Sequence, residues 1–426
     1  MLSFGRPTHA VTPKGRGDIM RKFLRLAGAS IVGLSLAGAA LAQEPAPPTG
    51  LKLDRVVLLM RHGVRPPTKS PPMPEGTSNQ NWPNWPVAPG YLTPHGRVGV
   101  ERLGGYDRSA WTAAGLLPRS GCATIRIVAD SDERTIRTAE AYAEALAPGC
   151  SVAIEHKPQG VADPIFSPID ERAVPFDAAK ARAAVLAGAG GEAGLAALDQ
   201  RLAPELARLD TILCQPVTRN CGVRQKPTGL APAKPDKRPK LNGAIDRAST
   251  AAQILLLEYA EGKPMAEVGW GRATPADIER LGVFHAEEFR LLARPRYVAK
   301  ANMAGIAPLI LQGLTAAKAP AVTMISGHDT NIASLGGLLD LHWKVPGLAA
   351  DDPAPGGAIV LERLVDARGR AYVRALYRSQ TLEQLRKLAD PAVEAPYVAV
   401  LPIAGCTARG VVGLCTMQAF QAQLTR

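Results

Sequence analysis

Short apolar runs alternate with longer amphipathic stretches from residue 53 onward. The short runs have the length and composition of buried strands, whereas the longer stretches repeat apolar residues at helical spacing. Predicted strands span residues 56–60, 123–129 and 151–156, and predicted helices span 94–115 and 133–146. This alternation predicts an α/β fold with helices on both faces of a sheet.

The strand pattern stops near residue 165 and returns near residue 321. Between these points, segments rich in Ala, Leu and Glu predict helices at 178–187, 193–213, 244–260 and 275–293. Strand patterns recur at 321–327, 358–364, 372–377 and 397–403. We therefore predict a mixed central sheet flanked by helices, with a smaller all-helical domain inserted into it. The predicted boundaries are 43–165 for the first segment of the α/β domain, 166–300 for the helical insertion and 301–426 for the second α/β segment.

A proline-rich segment follows the first predicted strand. Eight of the 25 residues from 66 to 90 are proline, which excludes a regular helix or strand. We predict a long ordered loop beside the site, because loops of this length in compact domains are often functional. Trp82 and Trp85 either contribute to that site or seal the loop onto the core.

The N-terminal segment has the pattern of an export signal. Basic residues at 20–25 precede an apolar stretch at 26–41, and Ala40-Leu41-Ala42 is a small-x-small cleavage signature. We predict a leader and signal peptide at 1–42, with Met20 as a candidate start, and a periplasmic or secreted mature protein. The apolar run is too short, and too soon followed by polar residues, to predict a stable membrane anchor.

Charge narrows the possible ligands. Residues 1–42 hold six basic and one acidic side chain, so without them the net charge falls from +12 to +7. The remaining net charge of +7 suits an anionic small-molecule ligand. Nucleic acid is not expected, because the five Trp are not interleaved with basic residues and no groove-reading motif is present. The densest basic stretch, 224–240, contains four prolines and predicts a solvated loop.

Two motifs follow two of the predicted strands. Arg61-His62-Gly63 comes directly after 56–60, and His328-Asp329-Thr330-Asn331 comes directly after 321–327. Ligands of open α/β sheets bind at the carboxyl ends of strands, so we expect the two motifs to converge. This combination of histidines, arginine and a carboxylate indicates the capture and attack of a phosphate group.

Each residue type has a role in that chemistry. Arg61 and Arg65 offer forked donors that match phosphate oxygens, and His62 can attack phosphorus to give a phosphohistidine. His328 can donate to the phosphoryl oxygens, and Asp329 is the expected proton donor to the leaving oxygen. A bound dianion should raise the pKa of Asp329, so we expect an acidic optimum.

The extended motif at 61–69, Arg-His-Gly-Val-Arg-Pro-Pro-Thr-Lys, together with His-Asp-Thr-Asn at 328–331, resembles the histidine acid phosphatase family and most closely its bacterial periplasmic phytase branch. The resemblance implies a phosphoglycerate mutase-like fold and hydrolysis of phosphomonoesters, with phytate as the expected substrate. It makes Arg134, in the segment 130–135, a further phosphate-binding residue. It also implies substrate contacts at Thr68, Lys69, Asp130 and Thr330. No metal or cofactor is required by this mechanism.

The six cysteines allow 15 connectivities, and their spacing does not match a zinc site. The family resemblance and the oxidising compartment of an exported chain support local pairing. The expected disulfides are Cys122–Cys150, Cys214–Cys221 and Cys406–Cys415.

Two departures from the phytase pattern leave the substrate open. Gln253 stands where similar phytases often carry Glu, and a helix start that is Arg-rich in them contains Lys300, Ala301 and Asn302. Fewer cations there would weaken the hold on a hexakisphosphate. A glucose-1-phosphatase-like or broad-specificity acid phosphatase is therefore the nearest alternative. His285, on a predicted helix of the insertion, is a candidate cleft-lining residue.

Two further alternatives carry less weight. A phosphoglycerate mutase-like transferase shares Arg-His-Gly, but the export signal and the His328-Asp329 pair argue against it. A non-catalytic phosphoester-binding protein is disfavoured by the intact His62 and Asp329. We expect a small-molecule phosphomonoester as partner and a monomeric protein.

Overall fold

The structure is a computed structural model that describes residues 45–425. The predicted leader and signal peptide, residues 1–42, lie outside this described part. Its strands are β1 (Leu51–Arg61), β2 (Ile125–Ala129), β3 (Ile154–Glu155), β4 (Gly229–Leu230), β5 (Leu241–Asn242), β6 (Val322–Gly327), β7 (Ala358–Asp366), β8 (Ala371–Ser379), β9 (Tyr397–Leu401) and β10 (Cys415–Thr416).

Eight of these strands form one sheet in the order β10-β8-β7-β1-β6-β2-β3, with β9 also paired to β8. The pairs β1–β6, β6–β2 and β2–β3 are parallel, whereas the pairs made by β7 and β8 are antiparallel. The mixed central sheet predicted from the sequence is confirmed. Because β6 lies between β1 and β2, strands distant in sequence become neighbours in the sheet.

The helices are α1 (Pro94–Ala113), α2 (Glu133–Leu146), α3 (Ala178–Ala189), α4 (Gly191–Ala196), α5 (Leu198–Arg201), α6 (Ala203–Leu213), α7 (Ala244–Ala260), α8 (Pro275–Leu281), α9 (Val283–Leu292), α10 (Arg296–Asn302), α11 (Ile306–Thr315), α12 (Asp329–Leu339), α13 (Leu382–Lys387) and α14 (Met417–Thr425). Short 3-10 helices span Val268–Gly271 and Ala408–Gly410.

Helices cover both faces of the sheet, as predicted. In β1, Val56 and Leu58 belong to the hydrophobic cluster that includes α1 and α2, whereas Val57 and Leu59 belong to the cluster that includes α11 and α12. Alternate residues of a strand point to opposite faces, so a continuous apolar run suits a strand buried on both sides. Gly313 lets α11 approach closely, because a Cβ there would lie 2.7 Å from Val57.

Helices dominate between β3 and β6, but two predicted helices are divided. The predicted helix at 193–213 is three helices, and Pro204 lies in the first turn of the last one, where proline is tolerated. The predicted helix at 275–293 divides at Gly282, a poor helix former. The short antiparallel pair β4–β5 also lies in this segment, so the predicted all-helical insertion contains one small two-stranded sheet.

The proline-rich segment 66–90 forms no helix or strand, as predicted. Trp82 packs against Trp270 with ring centroids 5.0 Å apart, and Nζ of Lys263 lies 4.8 Å above the ring of Trp85. These contacts fasten the second half of the loop to the segment that follows α7. They favour the interpretation that the two tryptophans seal the loop.

The three expected disulfides are present: Cys122–Cys150, Cys214–Cys221 and Cys406–Cys415. The first disulfide links the segment just before β2 to the segment just after α2. In residues 45–425, no helix is both long and apolar enough to span a bilayer.

Candidate active site

The ends of three neighbouring parallel strands bring the sequence motifs together. Arg61 is the last residue of β1, and the backbone N–H of His62 donates to the carbonyl of Gly327, at the end of β6, over 3.0 Å. The N–H of Asp130, after β2, donates to the carbonyl of Ser326 over 3.0 Å. Pairing thus continues beyond the strands, and the predicted convergence is confirmed.

His62 is held as a neutral imidazole. Its Nδ1 lies 2.8 Å from the carbonyl oxygen of Gly63, and since a carbonyl only accepts, Nδ1 carries the hydrogen. Burial lowers the pKa of His62 well below its usual value, and the positive charges of Arg65, Arg134 and Arg61 lower it further. Nε2 therefore keeps its lone pair, which is the form needed for attack.

Three guanidinium groups surround this ring. The pKa of Arg65 falls to about 9 because of burial and the nearby charges of Arg134 and Arg61. The Nε atoms of all three arginines are buried and have no hydrogen-bond partner among the described residues. Buried donors of this kind normally have partners. A bound dianion would satisfy them and relieve the repulsion between the cations.

Arg61 is fixed by contacts on two sides. Its Nη2 lies 3.0 Å from Oδ2 of Asp329 and 3.1 Å from Oε1 of Gln253, and its Nη1 donates to the carbonyl of Pro353. Only 1% of its surface is exposed. This guanidinium is therefore oriented before any ligand binds.

His328 is the N-cap residue of α12, and its side chain contacts two other predicted site residues, Asp130 and Arg134. Its Nε2 lies 2.6 Å from Oδ2 of Asp130, and its Nδ1 lies 3.5 Å from Nη2 of Arg134. Arg134 is in turn held by Asp132 over 2.5 Å. Asp130, Asp132 and His328 are close enough to suggest metal ligands, but each carboxylate already has a protein partner.

Asp329 is the first residue of α12 and lies among cations. Burial raises its pKa, but the charge of Arg61, with His285 and Arg65, outweighs burial and holds the pKa well below its usual range. The expectation of a raised pKa applies beside a bound dianion, whereas the protein groups by themselves lower the pKa of Asp329. Neutralisation of the arginines by that dianion would remove most of the lowering effect.

The Arg61–Asp329 pair belongs to a closed ring of polar contacts that also includes His285, Asp352 and Gln253. Nε2 of His285 lies 4.0 Å from Oδ2 of Asp329, and Nδ1 of His285 lies 2.6 Å from Oδ1 of Asp352. Oδ2 of Asp352 accepts from Nε2 of Gln253 over 3.4 Å. Oε1 of Gln253 accepts from Nη2 of Arg61, which closes the ring. Asp352 was not predicted from the sequence, because it lies in a loop between α12 and β7 with no motif around it.

A cavity of about 940 Å³ adjoins these residues. The part lined by Arg61, Arg65 and Asp329 is called its floor. Thr68, Lys69 and Thr330 line the cavity, as does His285. Asp130 does not line it and is buried beside His328 instead. Two cavity cations, Lys226 and Arg247, were not singled out from the sequence, because nothing local to either residue indicates the site.

Comparisons with known proteins agree with this geometry. Residues 52–226 and 263–378 match the model of histidine phosphatase superfamily (branch 2). The chain is similar to phytase AppA of Escherichia coli (strain K12), at 35% identity over 87% of this chain and 90% of that protein. It is also similar to glucose-1-phosphatase of Providencia rettgeri, at 30% identity over 81% and 84% of the two chains.

Solved structures give the same result. The phytase of Hafnia alvei superposes with a TM-score of 0.80 at 34% identity, covering 89% of this chain and 98% of that one. Its complex with myo-inositol hexakis sulphate is equally similar, with a TM-score of 0.80 at 33% identity and the same coverage of both chains. The chain belongs to the histidine phosphatase superfamily, branch 2. It is a histidine acid phosphatase, a phosphoric monoester hydrolase.

Proposed function

We propose that the preferred substrate is phytate. The observation that carries this proposal is the cavity of about 940 Å³, which lies near the upper end of ligand-site volumes. A single phosphoryl group fills only the arginine-lined floor. The remaining space, with Lys69, Lys226 and Arg247 on its walls, suits a ring that carries several further phosphates.

The proposed mechanism has two displacements. Arg61, Arg65, Arg134 and His328 hold the phosphoryl oxygens. Nε2 of His62 attacks phosphorus, the bond to the ester oxygen breaks, and Asp329 gives that oxygen its proton. Asp329, now a carboxylate, takes a proton from water as the water oxygen attacks phosphorus. The phosphohistidine bond breaks, and both His62 and Asp329 return to their starting states.

The supporting residues have narrower roles in this proposal. Asp130 accepts a hydrogen bond from His328 and thereby orients it. Thr68, Lys69 and Thr330 contact the part of the substrate outside the arginine clamp, since all three line the cavity. We also propose that residues 166–300 form an insertion domain between the two segments of the α/β domain.

A glucose-1-phosphatase-like or broad activity is the second candidate. Asn302 lies away from the cavity, where its side-chain amide donates to Ser334 over 3.1 Å, so it adds nothing to a polyanion site. Asp246 and Glu288 place carboxyl groups on the cavity wall, and when these are ionised they disfavour a highly charged ligand. Similarity to the Providencia rettgeri glucose-1-phosphatase supports the same candidate.

We further propose that the mature protein is a periplasmic monomer. The predicted signal peptide at 1–42 and the three disulfides support export, since disulfides persist in oxidising compartments. Its substrate is a small-molecule phosphomonoester.

The test is phosphate release from phytate, glucose 1-phosphate and an aryl phosphate, from acidic to neutral pH, with EDTA present. His62→Ala is the control for contaminating phosphatases. Efficient turnover of phytate at acid pH, abolished in the variant, is the expected result. Hydrolysis of the small esters alone would contradict the phytate assignment and leave the phosphatase chemistry intact. Loss of activity with EDTA would contradict the metal-free mechanism.

A further inference from the structure

Two carboxylates stand out on the wall of the basic cavity. Asp246 on α7 and Glu288 on α9 both line it, together with Lys69, Lys226 and Arg247. Within residues 45–425, neither carboxylate lies within 4.0 Å of a basic nitrogen. Both also line a smaller neighbouring cavity of about 300 Å³ that contains Arg238 and Lys240. The two acids therefore lie where the catalytic cavity meets a second basic groove.

The groups around each carboxyl are few. Asp246 is influenced by Arg247 on its own helix and by Lys240, just before β5. Glu288 is hydrogen-bonded to Ser249 of α7 and also faces His285 on its own helix, Asp246 on α7 and Asp329 on α12. Burial is the main cause that raises the pKa of both carboxyls, and for Glu288 the two other acids add to it. Both groups therefore hold their protons to higher pH than an exposed carboxyl does.

From this arrangement we propose that Asp246 and Glu288 form a charge filter that makes the choice of substrate depend on pH. In acid, the protonated carboxyls donate hydrogen bonds to outlying anionic groups of a polyphosphorylated substrate. Near neutrality, the ionised carboxyls repel those groups. A substrate with one phosphoryl group places it in the arginine clamp and has no second phosphate to meet the filter.

The inference rests on the proposed function in one respect, which is that phytate is taken as the natural polyphosphorylated substrate. Its consequence is that polyphosphorylated substrates are preferred in acid, whereas small monoesters compete better near neutrality.

A ligand of fixed charge isolates the effect of the protein groups. Myo-inositol hexakissulfate carries sulfate monoesters that stay ionised across the range, so its own charge does not change with pH. The measurement is its inhibition constant against aryl phosphate hydrolysis, from about pH 4.5 to about pH 7.5. The proteins compared are the native chain, Asp246→Asn, Glu288→Gln and the double variant.

In the native protein, the inhibition constant should rise steeply toward neutral pH. The double variant should bind the inhibitor roughly tenfold more tightly than the native protein near neutrality, because two like charges are removed. Each single variant should show part of this gain, which keeps the test valid if the double variant is unstable. Glu287→Gln is the matched control, since Glu287 is one residue away on α9 and pairs with Arg201 and Arg290.

The proposal is overturned if the variants keep the native pH profile, or if they weaken binding near neutrality. It is also overturned if Glu287→Gln changes the profile as much as Glu288→Gln does. The readout uses aryl phosphate as reporter and needs no turnover of phytate. Failure of the phytate assignment therefore remains distinguishable from failure of the filter.

Discussion

Nε2 of His285 lies 4.0 Å from Oδ2 of Asp329, the proposed proton donor. The other ring nitrogen of His285 lies 2.6 Å from the buried Asp352, which fixes the orientation of the ring. His285 is among the groups that lower the pKa of Asp329, after Arg61. It is therefore a positioning residue that acts on the reaction through the charge of Asp329.

Replacement of His285 by Gln should shift the pH profile. Loss of His285, which lowers the pKa of Asp329, raises that pKa, so in the substrate complex the donor stays protonated to higher pH and the alkaline limb of kcat moves to higher pH. The expected shift is about one pH unit. His342→Gln is the control, because His342 is exposed and pairs with Asp340 and Asp351 instead. An unchanged limb in His285→Gln would show that the contact is structural.

Arg134 should be essential for holding the phosphoryl group. Its charge lowers the pKa of both His62 and Arg65, and its Nε is a buried donor without a protein partner among the described residues. Arg134→Ala should lower kcat/KM by about two to three powers of ten. Arg134→Lys should recover little of this, because lysine lacks the forked geometry.

Arg137 provides the matched control for this experiment. It lies on the same helix, is half exposed and pairs with Glu133 and Glu140 on the surface. Steady-state kinetics with an aryl phosphate should show near-native values for Arg137→Ala. Equal losses in the two alanine variants would indicate damage to α2 and would contradict the assigned role of Arg134.

Much of the fold and the site follows from local sequence. The runs at 56–60 and 321–327 are apolar at most buried positions, so both the strands and the motifs after them could be predicted. The division at Gly282 could not, because glycine is also found within helices and packing decides whether a helix continues. Asp352 and Arg247 were missed because tertiary contacts alone bring them to the site. The lowered pKa of Asp329 likewise depends on its distance to Arg61.

The stability of the fold should depend on the buried Glu258. Burial raises its pKa from 4.5 to about 8; Oε2 accepts from the N–H of Gly269, and Oε1 has no partner among the described residues. The raised pKa means that the folded state holds a proton that the unfolded chain releases above about pH 4.5. This contribution is therefore fully present below pH 4.5 and is lost as the pH rises toward 8.

Glu258→Gln should accordingly reduce the pH dependence of stability. The Tm of the native protein should be higher at about pH 5 than at about pH 8, and the variant should lessen the difference by about 2–4 °C. Thermal unfolding followed by circular dichroism measures this directly. A difference of native size in the variant would mean that other buried acids, such as Glu362, cause the dependence.

The mechanism depends above all on Nε2 of His62 carrying the phosphoryl group between the two displacements. To detect this intermediate, substrate is mixed rapidly with the protein, the reaction is stopped in alkali, where phosphohistidine survives, and the phosphoryl group is located by peptide mass spectrometry. With an aryl phosphate, whose phenolate can leave without a proton from the protein, Asp329→Asn cannot activate water and should accumulate the intermediate. We expect one phosphoryl group on the peptide that contains His62, absent in His62→Ala. Phosphate release from an aryl phosphate by His62→Ala at a rate near the native one, or a label on another residue, would refute this mechanism.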